Sequence, residues 1–313
     1  MTAYEEDYRR TVKHVPASGF LDGTSIELIR RARRPHPPRQ VLFDFDGTLS
    51  LIREGWQEVM IPMMVEVLAA TGTGETPEGL HRLADDFVTK LTGKQTIYQM
   101  IQLSEEVAAR GGKPLDPLEY KKIYHDRLME RIRHRREALG SGAVLPRDML
   151  VPYSYEMLEA LRERGVSLYL ASGTDRRYVL EEARLLGLEE WFGPHIYGAI
   201  EDYRNYSKAM VIERILRENR VDGKTLVGFG DGYVEIQNIK EAGGVAVAVA
   251  SDEHARDGTV NQWKRDRLIG IGADVVIPDY RDYKALIAYL WGESPQQARE
   301  QPPEPGALTR EPE

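Results

Sequence analysis

The sequence predicts an α/β fold, a doubly wound parallel sheet with an α-helical module inserted after its first strand. Five short apolar runs carry the sheet: QVLFDF at 40–45, VSLYLA at 166–171, TLVGF at 225–229, VAVAVA at 245–250 and DVVI at 274–277. Runs this short and this continuously apolar mark strands buried on both faces. Between the later runs, Met157, Leu158 and Leu161, then Met210, Val211, Ile215 and Leu216, fall at helical spacing. Strand alternating with helix is the pattern of a doubly wound sheet.

Taken in order, residues 1–38 are polar and end in RRARRPHPPRQ, where prolines and arginines keep regular structure from running into the strand that follows. They are expected as a lead-in and linker. After the first strand, the region 55–145 breaks the alternation. It offers Val59, Met63 and Val67, then Leu80, Leu83 and Phe87, then Ile97 and Ile101, and last Tyr120, Tyr124, Leu128 and Ile132 at helical spacing, with Gly or Pro between the groups. This is the helical insertion, and residues 39–54 and 146–292 are the α/β core around it. The segment 293–313 is rich in Pro, Gln and Glu, has almost nothing to bury, and is expected to be a disordered tail.

Composition narrows the chemistry. The formal charge of −8 gives no global support to a nucleic-acid partner. The chain has no cysteine, which removes disulfides, thiolate nucleophiles and sulfur-ligated zinc. Its seven histidines show no ligand spacing. No apolar run reaches the ~18 residues of a membrane span, and MTAYEEDYRR lacks the plan of a signal peptide, so the expected location is the cytoplasm, away from any membrane.

The chemistry that remains gathers at strand ends. Asp44 closes the first strand, and Asp46-Gly47-Thr48 turns the chain away with a second carboxylate close by. The run YLASGT brings the Ser172 hydroxyl and the Gly173 amide to the same edge, and GFGD brings Asp231, with Glu235 four residues on. Lys208 opens a helix, where the helix dipole disfavours a cation and another reason for its charge is needed. Singly, each has a structural reading: a turn for Asp46-Gly47, a helix cap for Ser172, an exposed helix residue for Lys208. Their convergence on successive strand ends argues for one site. GFGDGY is not a dinucleotide fingerprint, since Tyr233 stands where the third glycine belongs and Asp231 would repel a pyrophosphate. LTGKQT lacks the upstream glycine and strand of an ATP-binding loop.

These four segments, in this order and with a helical insertion after the first, resemble the haloacid dehalogenase-like hydrolase superfamily, over residues 40–292. The D-x-D-G-T motif is matched at Asp44 to Thr48, the strand-end hydroxyl at Ser172, the lysine at Lys208, and G-D-x-x-x-D at Gly230 and Asp231, with Glu235 in place of the last aspartate. The resemblance implies a Rossmann-like core carrying an α-helical cap. It further implies Asp44 as nucleophile, Asp46 as general acid and base, and Ser172, Gly173 and Lys208 around the phosphoryl oxygens. A Mg²⁺ ion would be held by Asp44, Asp46 through its carbonyl, and Asp231. Glu235, longer by one methylene than aspartate, would reach the metal through water or pair with Lys208 instead. Thr48, Arg53, Lys94 and Gln95 are the candidate substrate-binding residues, the last two in a TGKQT loop that would read the leaving group. The implied activity is a Mg²⁺-dependent phosphatase for a small phosphorylated metabolite, with a sugar phosphate as the expected substrate. A phosphosugar mutase and a non-catalytic module that holds a phosphate ester are the alternatives. A dehalogenase fits less well because that chemistry needs no metal. The substrate and the oligomeric state are not legible in the sequence.

Overall fold

The structure, a computed structural model, describes residues 18–30, 36–200 and 202–293. The expected tail from 294 onward, and residues 1–17 and 31–35 of the lead-in, lie outside the described residues. The described part of the lead-in is a strand pair, β1 (Gly19–Phe20) and β2 (Glu27–Leu28), where the sequence reading expected only a linker. Two residues per strand are too few to register as a period-2 pattern. Tertiary contacts fix them: Glu27 is 4% exposed and accepts both fork nitrogens of Arg265.

β3 (Gln40–Phe43) follows, and its four residues are all buried. Val41 and Phe43 point into one apolar cluster and Leu42 into another, which is how a strand covered on both faces must divide its side chains. The chain then makes four helices: α1 (Gln57–Ala69), α2 (Pro77–Lys90), α3 (Thr96–Ala109) and α4 (Pro117–Ser141). Their starts are written in sequence. Thr76 caps α2 ahead of Pro77, and Asp116 with Glu119 forms a capping box ahead of α4. Gly142 ends α4 in the left-handed conformation. This cap buries Met63, Met64, Leu103 and Leu128 within the same cluster that receives Val41 and Phe43.

The core resumes with α5 (Ser154–Glu163), β4 (Ser167–Asp175), α6 (Arg176–Leu185), a short α7 (Glu189–Phe192) and β5 (Ile196–Ala199). It continues through α8 (Lys208–Asn219), β6 (Leu226–Gly230), α9 (Tyr233–Glu241) and β7 (Val245–Val249). It closes with α10 (Gln262–Ile271), β8 (Val275–Ile277) and α11 (Tyr283–Trp291). β5, IYGA, escaped the sequence reading because it is four residues long and includes a glycine.

The sheet order is β1-β2-β8-β7-β6-β3-β4-β5, with β8 through β5 parallel and the hairpin antiparallel against β8. β3 is the switch point, because the next strand in sequence lies on one side of it and β6 on the other. A sheet of this kind opens its ligand crevice at the carboxyl ends of the strands beside that point. The cap is pinned over this edge. Lys121 pairs with Asp175 and Arg136 with Glu181, His125 stacks on Tyr178 at 3.8 Å, and Arg267 donates to the Thr89 carbonyl at 2.7 Å.

Candidate active site

Asp44 stands one residue beyond β3, with its amide donating to Phe229 O at 2.9 Å so that the β3–β6 pairing holds it in place. Its Oδ1 accepts Lys208 Nζ at 2.8 Å and the Phe45 amide at 2.7 Å. Burial pushes the Asp44 carboxyl above its ordinary range, Lys208 draws it back, and the charge of nearby Asp231 pushes it up again. Lys208 begins α8 because Ser207 caps the helix, and the residue is only 5% exposed. Asp44 is one of its partners and Glu235 on α9 is the other. Of the two readings of Glu235, the pairing with Lys208 is the one this contact supports.

The chain leaves Asp44 through a turn that needs glycine. Gly47 has φ +73°, and a Cβ there would lie 2.1 Å from Asp231 Oδ2. The turn places the Asp46 carboxylate beside the end of β4, where its Oδ2 accepts Thr174 Oγ1 at 2.9 Å and lies 3.4 Å from Ser172 Oγ. Desolvation, with the charges of Glu182 and Asp44, pushes the Asp46 carboxyl up to about 7 against the pull of Arg53. Ser172 is 1% exposed, and its carbonyl accepts the Tyr206 hydroxyl at 2.8 Å.

Two expected substrate contacts go elsewhere. Thr48 is fully buried and its Oγ1 accepts the Asp231 amide at 3.0 Å, so it braces the β6 end and does not face the cavity. Gln95 turns away as well, donating through Nε2 to Tyr206 O at 2.7 Å and Tyr203 O at 3.1 Å. The backbone is short of space here, since a Cβ on Gly173 would come within 2.9 Å of Lys94 O. Residues 92–95 thus press directly on the strand-end groups. Lys94 and Arg53 do line the cavity, of about 100 Å³, together with Asp44, Asp46, Ser172 and Gly173. Arg53 is also forked onto Glu182, at 3.0 and 2.8 Å.

Sequence reasoning missed Lys264, Glu253, Thr174 and Glu182. Lys264 on α10 bridges Asp231 Oδ2 at 2.9 Å and Glu253 Oε1 at 2.6 Å. No motif marks either residue. Thr174 had a signal, lying two residues after Ser172 in ASGT.

Among the described residues, no cluster of three or more His, Cys, Asp or Glu side chains forms a metal cage. The oxygen donors that share the edge are the Asp44 and Asp231 carboxylates and the backbone beside Asp46. Such a set suits a hard cation that keeps part of its water, and the mutual repulsion of Asp44 and Asp231 is what a dication would relieve. The residues therefore fit Mg²⁺. No described helix is long and apolar enough to cross a membrane.

The fold matches solved structures. A conserved haloacid dehalogenase-like protein of unknown function from Agrobacterium tumefaciens str. C58 superposes with a TM-score of 0.51 at 19% identity, covering 80% of this chain and 98% of its own. A haloacid dehalogenase-like family hydrolase from Streptococcus pneumoniae gives 0.50 at 18% identity, covering 80% and 98%. At such identities the likeness is one of fold. No curated protein sequence matches the chain. The family model of haloacid dehalogenase-like hydrolases matches residues 38–243. That span runs from the strand bearing Asp44 through the helix bearing Glu235, and the chain belongs to the haloacid dehalogenase-like hydrolase family.

Proposed function

We propose that the protein is a Mg²⁺-dependent phosphatase that hydrolyses a small phosphorylated metabolite, a sugar phosphate, through an aspartyl-phosphate on Asp44. One observation carries the reading: the Asp44 carboxylate, its Lys208 counter-charge at 2.8 Å and the Asp46 carboxyl two residues on line one cavity under the 92–95 loop. Asp44 attacks phosphorus in line as the bond to the leaving oxygen breaks, and Asp46 gives that oxygen its proton. Asp46, now ionised, takes a proton from the water that attacks the phosphoryl group, and Asp44 is released. Ser172 Oγ, the Gly173 amide and Lys208 Nζ are the donors for the equatorial oxygens. The Asp44 and Asp231 carboxylates and the backbone beside Asp46 would hold Mg²⁺, which would supply positive charge between an anionic carboxylate and an anionic phosphate.

A panel of phosphorylated metabolites incubated with Mg²⁺, read as free phosphate, tests this. Release from at least one sugar phosphate by the wild type, and none by Asp44→Asn, is the expected result. No release from any phosphoester would overturn it.

A further inference from the structure

Arg53 and Glu182 form an ion pair whose depth needs a reason. Glu182, on α6, is 0% exposed and Arg53 is 7% exposed. A buried pair of this kind rarely adds more stability than apolar side chains of the same volume would. Its use must lie in what the pair holds. Arg53 Nε and Nη2 are both committed to Glu182, at 3.0 and 2.8 Å, which fixes the plane of the guanidinium. That fixed plane lies against the acid: Arg53 Nε is 3.7 Å from Asp46 Oδ1. Asp46 Oδ2 is tied to Thr174, whereas buried Oδ1 has no hydrogen-bond partner among the described residues. Arg53 is the cation that Oδ1 faces.

We propose that Glu182 is a positioning residue for proton transfer: it locks Arg53, and Arg53 keeps the Asp46 carboxyl turned toward the oxygen of the leaving group. The inference rests on the phosphatase reading above. Tyr178 of α6, whose ring centroid lies 5.8 Å from the guanidinium carbon, walls the pair on the core side.

The test uses two probes that differ in how much they need an acid: glycerol 2-phosphate, with a poor alkoxide leaving group, and p-nitrophenyl phosphate, with a good one. Asp46→Asn is the reference, since loss of a general acid typically costs ~10²–10⁴-fold where protonation is needed. Glu182→Gln keeps the shape and removes the charge. It should lower kcat for glycerol 2-phosphate at least about tenfold and for p-nitrophenyl phosphate less than about twofold, with KM unchanged, and should cost nothing further in the Asp46→Asn background. Equal losses on both probes, or losses that add to those of Asp46→Asn, would overturn the proposal while leaving the phosphatase reading intact. If Asp46→Asn itself treats the two probes alike, the acid role of Asp46 fails and this inference falls with it. Should Glu182→Gln not fold, Glu182→Asp, which keeps the charge but shortens the reach of the fork, decides by the same pattern.

Discussion

Gln95 in the cap and Tyr206 in the core are joined by a 2.7 Å hydrogen bond from the glutamine amide to the tyrosine carbonyl. Tyr206 lies two residues before Lys208 and donates its hydroxyl to Ser172 O. The cap loop thus grips the segment that delivers the lysine. Gln95→Ala should therefore lower kcat for small aryl phosphates as much as for sugar phosphates, by several-fold. A loss confined to the larger substrates would return Gln95 to leaving-group recognition.

Lys94 is different because it lines the cavity, with its ammonium 5.6 Å from the Tyr98 ring centroid. Lys94→Ala should raise KM for sugar phosphates and leave kcat/KM for p-nitrophenyl phosphate nearly unchanged. Steady-state kinetics over the same panel separates the two neighbours.

Asp44→Asn should abolish turnover and leave the fold intact. The amide is nearly isosteric, and Lys208 keeps Glu235 as a counter-charge, so no buried cation is stranded. Thermal unfolding within a few degrees of wild type, no free phosphate and no phosphorylated protein by mass spectrometry are the expected readings. Turnover near the wild-type rate would remove Asp44 as nucleophile.

Gly47→Ala should be destabilising by about 1–2 kcal/mol from the left-handed backbone alone, and by more because its methyl group would overlap Asp231 Oδ2. The displaced carboxylate predicts weaker Mg²⁺ binding as well. Urea denaturation and calorimetric titration with Mg²⁺ read the two effects apart. Stability and Mg²⁺ binding both equal to wild type would contradict the turn geometry.

His125 gives a pH dependence. Burial first, with the charge of Arg53, lowers its pKa from 6.5 to about 4. Between these values the unfolded chain binds the proton that the folded protein refuses, so the stability is present above about 6.5 and is lost as pH falls toward 4. The ring is partly exposed, so the effect is modest. His125→Gln should narrow the drop in Tm between pH 7 and pH 5, and an unchanged drop would show that other groups set the acid sensitivity.

The acids were legible because Asp44, Asp46 and the turn that follows them lie in five consecutive residues, whose chemistry needs no long-range information. The strand cores were legible because burial on both faces leaves an unbroken apolar run. The second layer of the site was not. Glu182 meets Arg53 across 129 positions, and Lys264 meets Asp231 across 33, so neither pairing leaves a local pattern. Gln95 and Thr48, expected at the substrate, hydrogen-bond the protein's own backbone. A polar residue near a site advertises a donor or acceptor, but only the folded backbone shows whose carbonyl or amide lies opposite.

The strand pair that precedes the family match at residue 38 has a consequence for handling the protein. β2 occupies the side of β8 that would otherwise present unpaired amides and carbonyls, and the pair ends in a strand two residues long. Removing the residues that precede the match, and nothing else, would strip that cover and strand Arg265 without Glu27. The uncovered margin of β8 would then be open to a strand from another molecule, and the shortened protein should aggregate where the full chain does not.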